Sequence, residues 1–224
     1  TVEIGTRGQR ERFGWDLALY RTWINDEIQI FDLGNGATQS LNADRTIHQY
    51  AELGFDVDVW RGMLESGSDA DKIWLRAAYT FSDFRFDNDR RYGDNELPGA
   101  PRHYLRAEAL YKHPVGVFFG PNVEWVPESY FVDNANTLKT RAYALLGARA
   151  GYDFGFGSVF IDGRNLTNEK YIATTSVTSQ ATANQAGDAV PQLEHLLFDV
   201  AGVACEHGVG HLLAGDGGDE LFAG

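Results

Sequence analysis

With 224 residues and 43% hydrophobic content, the chain can form one or two soluble domains or a modest barrel. A formal net charge of −13 argues against a phosphate-backbone partner, so no nucleic acid is expected. No run approaches the roughly 18 apolar residues of a transmembrane helix, so any membrane claim must rest on strands; a single cysteine, Cys205, excludes an internal disulfide.

The first 165 residues are governed by period-two alternation. Thr1–Gly8 reads as a weak first strand. Trp15–Trp23 follows, with Trp15, Leu17, Leu19 and Trp23 on one face and Arg21 intruding on it. His48–Trp60 is the clearest strand: Ala51, Leu53, Phe55, Val57 and Val59 oppose Tyr50, Glu52, Gly54, Asp56 and Asp58. Ile73–Phe81, Tyr104–Tyr111, Val115–Trp125, Arg141–Tyr152 and Ser158–Arg164 repeat the pattern. Their connections alternate. Gln9–Phe13, His113-Pro114 and Asp153–Phe156 are tight, whereas Asp32–Arg45, Asp83–Pro101, Pro127–Lys139 and Thr167–Val190 are long and polar; Arg61–Asp71 is long for the tight side.

A soluble sandwich also alternates. Here, however, the polar face carries Asp, Glu and Arg of both signs, which suits a polar lumen. Arg or Lys is nearly absent from the apolar face, where one at mid-bilayer would cost about 2–4 kcal/mol. Several segments also reach the roughly 9–11 residues that a tilted strand needs to span a bilayer. The expected fold is all-β: an antiparallel meander of about eight strands from an outer-membrane β-barrel. Leu53, Phe55, Val57, Leu75, Tyr79, Val117, Phe119, Leu146, Val159 and Ile161 are expected to share the lipid-directed face. Glu52, Asp56, Arg76, Arg106, Glu108, Glu124, Arg149 and Asp162 are expected on the other.

Three stretches carry a likeness to a known family. Thr1–Gly8 runs into Trp15-Asp16-Leu17-Ala18-Leu19-Tyr20; Leu97-Pro98-Gly99-Ala100-Pro101-Arg102-His103 forms a turn before a strand; and Gly163-Arg164-Asn165-Leu166-Thr167-Asn168-Glu169-Lys170-Tyr171 carries an Asn-Leu-Thr-Asn-x-x-Tyr pattern. With these, segment 1–190 resembles the C-terminal part of the barrel of TonB-dependent outer-membrane receptors. The resemblance implies a fragment of a transporter for iron–siderophore complexes or similarly large nutrients. It also implies residence in the cell outer membrane, contact with outer-membrane lipid, and energy from the TonB complex. Such transporters have about 22 strands and a plugged lumen. The chain, with about eight strands, is therefore expected to lack the plug and the closing strand and not to transport alone; Thr1-Val2-Glu3-Ile4 opens no basic or apolar leader region, so no signal peptide is expected.

Residues 191–224 follow a different pattern. Gln192–Glu206 places Leu193, Leu196, Leu197, Val200, Val203 and Ala204 on a helical stripe. Val209–Ala214 reads as a short strand leading into Gly215-Asp216-Gly217-Gly218-Asp219-Glu220-Leu221-Phe222-Ala223-Gly224. A short α/β tail is the expectation. The acidic loop resembles that of the asparagine synthetase family, with its lasso-peptide cyclase and β-lactam synthetase relatives. By that resemblance Gly215, Asp216, Gly217, Gly218, Asp219 and Glu220 would lie near Mg-ATP, giving an ATP-dependent amide-forming enzyme as the alternative function. The Ser-Gly-Gly-x-Asp-Ser phosphate loop of that family is absent from the sequence, so no catalysis, no catalytic residue and no cofactor are expected. The join near Val190-Pro191 reads as a fusion or a truncated chain.

Other constellations are set aside. Cys205, His207 and His211 lie close together, but Gly208 and Gly210 oppose a helix that would present the two histidines together, and no fourth ligand is evident. Asp83, Asp87, Asn88 and Asp89 are interleaved with Arg85, Arg90 and Arg91, which favours a solvated loop over a calcium site. Gly34-Asn35-Gly36 is a turn, since no Lys or helix follows.

Overall fold

The computed structural model describes residues 1–32, 38–64, 70–172, 177 and 197–205. Its main sheet has nine antiparallel strands: β1 (Val2–Arg10), β2 (Phe13–Asn25), β5 (Arg45–Arg61), β6 (Lys72–Phe86), β7 (His103–Lys112), β8 (Val117–Val126), β9 (Tyr143–Asp153), β10 (Gly157–Arg164) and β11 (Leu197–Cys205). A hairpin, β3 (Ile28–Asp32) with β4 (Thr38–Asn42), stands in the connection between β2 and β5. Each main-sheet strand pairs only with the next strand of that sheet, so among the described residues the order is a simple meander with β1 and β11 at its edges.

The register explains why alternation was so legible. Antiparallel partners project to the same face, and the pairs run Leu17↔Leu53, Leu53↔Tyr79, Tyr79↔Leu105 and Leu105↔Trp125 on one side. On the other side run Asp56↔Arg76, Arg76↔Glu108, Glu108↔Asn122 and Asp162↔Arg149. The two sets of residues named from the sequence thus separate cleanly between the faces. A one-residue slip anywhere would have mixed them. Among the described residues the register shifts only at Asp58/Trp60 and Ser158/Phe160.

The apolar face is open rather than packed: Ile161 is 55% and Phe119 52% exposed. Arg21, the residue that broke the pattern, stacks its guanidinium 4.9 Å from the Trp23 ring centre, near the long-connection end of β2. Tight turns lie at the opposite end. In the β7–β8 turn, Gly116 has a φ of +104°, and a Cβ there would fall 2.1 Å from the Asp153 carbonyl oxygen. Only glycine meets both demands.

Three expectations are corrected. The Asp32–Arg45 connection is not plain loop but carries most of the β3–β4 hairpin. Strand β6 continues to Phe86, five residues past its expected end. Within the helix expected over Gln192–Glu206, the described residues Leu197–Cys205 are strand instead and pair antiparallel with β10, Ile161 opposite Val200; the rest of the expected α/β tail lies outside the described residues. Leu-Phe-Asp-Val-Ala-Gly-Val-Ala-Cys is a short apolar run that periodicity alone leaves open between helix and strand. An unpaired β10 edge supplies backbone partners that a helix would leave unused.

Candidate functional site

Two regions bring polar chemistry together: the charged face of the sheet and the rim formed by the long connections. On the charged face, strands β7 to β10 build a continuous ion-pair lattice. Arg149 reaches Glu108 at 3.3 Å and Asp162 at 3.2 Å. Arg164 approaches Asp162 at 3.4 Å, and Asn122 Nδ2 donates to it at 3.0 Å. Asp162 is only 4% exposed, so these donors replace its water. Nearer the long connections, Arg106 lies 3.9 Å from Glu124, which also accepts from the Tyr143 hydroxyl. Towards the tight turns, Asp58 is held by Arg61 and Lys72, and Lys112 sits 3.9 Å above the Trp74 ring. A hollow of about 550 Å³ opens beside it, lined by Arg76, Glu108, Arg149, Phe118 and Phe160.

The other half of this face is aromatic. Tyr20 and Tyr50 lie 4.7 Å apart centre to centre, Tyr50 and Phe84 stack at 6.0 Å, and His48 packs against Phe84 at 4.7 Å. Tyr50 donates to Glu52 at 2.7 Å. Glu27 accepts from the buried Thr46 hydroxyl and lies 3.2 Å from His48 Nε2.

The rim is knitted across three connections. Asp89 accepts the backbone N–H of Asp44 at 3.0 Å, of Arg91 at 2.8 Å and of Tyr92 at 2.9 Å. Burial alone would raise its carboxyl, but these three amides and the nearby Arg90 charge hold it below its ordinary value. Arg90 returns the contact by gripping Asp44 with Nε at 2.9 Å and Nη2 at 3.0 Å. Asp133, wholly buried, accepts from the amides of Thr137 and Leu138 and from the Thr137 hydroxyl. Asn136 exchanges hydrogen bonds with the Glu96 backbone, and Asn95 donates to the Asn134 carbonyl. Burial raises the Tyr92 and Tyr130 hydroxyls in the same rim.

The acidic residues weighed as a calcium cluster are divided among separate partners. Asp83 accepts from Gln49 at 2.6 Å, Asp87 pairs with Arg45, and Asn88 Nδ2 donates to Asp87. Gly34–Gly36, His207, His211 and the loop Gly215, Asp216, Gly217, Gly218, Asp219 and Glu220 lie outside the described residues. Alternation did not reveal the rim network or the aromatic cluster. Asp133-Asn134-Ala135-Asn136-Thr137 did carry a signal, since Asp, Asn and Thr at this spacing favour side-chain-to-backbone turns.

Comparison with known proteins agrees with this geometry. Residues 1–166 match the family model described as TonB dependent receptor-like, beta-barrel. The match lends no support to the asparagine synthetase likeness of residues 191–224. Among solved structures, the ferric citrate transporter FecA aligns with a TM-score of 0.61 at 23% identity, covering 78% of this chain and 27% of that one. The ferric yersiniabactin uptake receptor FyuA from Yersinia pestis aligns at 0.58 and 18% identity, covering 81% and 26%. The siderophore receptor PiuA from Acinetobacter baumannii gives 0.55 and 20%, covering 76% and 24%. The chain thus spans about a quarter of the length of these structures. That family is one of receptors rather than enzymes, and its barrel is of the outer-membrane type. With the match over residues 1–166 and a meander that has one apolar and one charged face, the chain belongs to the TonB-dependent receptor β-barrel family.

Proposed function

We propose that this chain forms part of the barrel wall of an outer-membrane receptor for iron–siderophore complexes or nutrients of similar size. In this reading it sits in outer-membrane lipid, and uptake is driven through the TonB complex. The single observation that carries the reading is the separation of faces over the residues matched to the family: apolar side chains exposed on one side, paired Arg, Asp and Glu on the other. An exposed apolar surface of this extent needs lipid to cover it, and a charged face suits a wet lumen. A sheet with edges at β1 and β11 does not enclose a channel. Transport therefore requires more wall than these nine strands, roughly the 22 of plugged outer-membrane transporters. The long connections face outward from the cell and the tight turns face the periplasm.

The test is to produce the chain with an export signal in a Cys205→Ser background and to place a reporter cysteine at Asn88 or at Gly155. Expected are recovery in the outer-membrane fraction and labelling of Asn88→Cys, but not Gly155→Cys, by an impermeant maleimide on intact cells. Recovery as a soluble protein, or the reverse labelling, rejects the reading.

A further inference from the structure

On β1, β2, β5 and β6, cations and rings are segregated along the charged face. Arg7, Lys72 and Arg76 lie in the half near the tight turns, each within reach of a carboxylate by register or contact: Arg7 donates to Asp16 at 2.5 Å, Lys72 lies 3.3 Å from Asp58, and Arg76 stands opposite Asp56 and Glu108. In the half near the long connections, the charged-face positions of β1, β2, β5 and β6 include no Lys or Arg at all. There the face presents Tyr20, His48, Tyr50 and Phe84, with Glu27 and Glu52 beside them. The rings are half-buried, so each keeps surface to offer. Rim cations are engaged, Arg45 with Asp87, Arg90 with Asp44 and Arg102 with Glu96.

We propose that this aromatic shelf recognises a ligand with a flat aromatic or conjugated ring and no net negative charge, a neutral or cationic metal chelate. The rings supply stacking surface, and a cation gains further from their π-faces. Glu27 and Glu52 make the local potential negative, and no Lys or Arg at a charged-face position in this half of the four strands offsets it. An anionic chelate would meet like charge in a partly desolvated setting, where repulsion is screened least. This inference rests on the receptor reading and narrows its ligand class.

Three chelates of similar size and different charge separate the possibilities: neutral ferric tris(maltolate), dicationic ferrous tris(phenanthroline) and trianionic ferric tris(catecholate). Each is titrated calorimetrically against the chain in neutral detergent micelles. Expected is binding of the first two, with the third at least tenfold weaker. Tyr50→Leu and Phe84→Leu should each weaken the neutral probe fivefold or more, and Glu52→Gln should narrow the gap between neutral and anionic probes. Leu53→Ala, on the apolar face, should leave binding unchanged and serves as the folding comparison. Equal or tighter binding of the catecholate, no binding of any probe, or indifference to Phe84→Leu and Glu52→Gln overturns the proposal. Outer-membrane recovery without such binding would leave the receptor reading standing and remove this one. Binding by a chain that stays out of the membrane would do the opposite.

Discussion

Single side chains here act through the partners they would strand. Asp162 meets Arg149, Arg164 and Asn122 while almost wholly shielded from water. Removing it leaves two half-exposed guanidiniums without their shared carboxylate, although Arg149 keeps Glu108, and leaving donors unsatisfied in this way costs about 1–3 kcal/mol. Asp162→Ala is expected to destabilise by that order in urea unfolding, and Asp162→Ala/Arg149→Ala by clearly less than the sum of the single changes. Strict additivity would show that the lattice is only a set of independent surface pairs. Asp89 makes the corresponding case for pH. Its folded-state value is depressed, so the stability it contributes is fully present above the ordinary aspartate value of 3.8 and is lost as pH falls through the lower folded value. Hydrogen exchange at the amides of Asp44, Arg91 and Tyr92 should therefore speed up, after correction for intrinsic rates, as the solution is acidified below that value. Asp89→Asn should abolish this acid dependence, because an amide does not titrate in that range. Unchanged protection down to pH 2 would show that the amides are held by something other than the carboxylate.

Strands were legible where two faces meet different surroundings. His48–Trp60 and Tyr104–Tyr111 announced themselves because burying their charges or flipping their register would be costly, and both lie within the strands found. The β3–β4 hairpin escaped notice because Ile28–Asp32 and Thr38–Asn42 are five residues each, too short to show a period. The rim escaped for another reason: its order comes from side-chain-to-backbone hydrogen bonds between segments some 40 residues apart, as in Glu96 with Asn136, and no local pattern encodes such pairing. Leu197–Cys205 misled in the opposite direction, since Leu, Val and Ala at mixed spacings satisfy a helical stripe and a strand alike. A proline separates the two outcomes. Val200→Pro removes a donor and forces a fixed φ in the middle of β11, which a ladder tolerates poorly. The amides of Val159 to Gly163 on β10 should then exchange faster, while those of β7 and β8 keep their protection. No change on β10 would mean that its outer edge is not held by β11 in solution.

For the whole molecule the decisive quantity is the solvent each face requires. A soluble nine-stranded sheet would bury its apolar side against a second layer, yet Leu53, Phe119, Leu146 and Ile161 stay open. The charged side, by contrast, carries paired ions, Arg149 with Glu108 and Asp162 and Lys72 with Asp58. Only an environment that is apolar outside and wet inside satisfies both at once. Aromatic residues on the apolar face gather toward both ends, Phe13 and Tyr152 near the tight turns and Trp23 and Trp125 near the long connections, as expected where rings lie at the two interfaces of a bilayer. Leu53 stands at the centre of β5, and Thr80 on β6 faces Glu52 across the charged side. An arginine at the first position would project into hydrocarbon, at a cost of about 2–4 kcal/mol. At the second it would stay on the charged side and meet the Glu52 carboxylate, with an effect near zero or slightly favourable. Leu53→Arg and Thr80→Arg, compared by reversible folding into lipid vesicles with tryptophan fluorescence as the readout, should therefore differ by at least 2 kcal/mol. Because both variants share the same sheet edges, any energy of the unpaired edges cancels from that difference. Equal costs at the two positions would mean that neither face meets lipid, and the sheet would then need a protein layer on its apolar side.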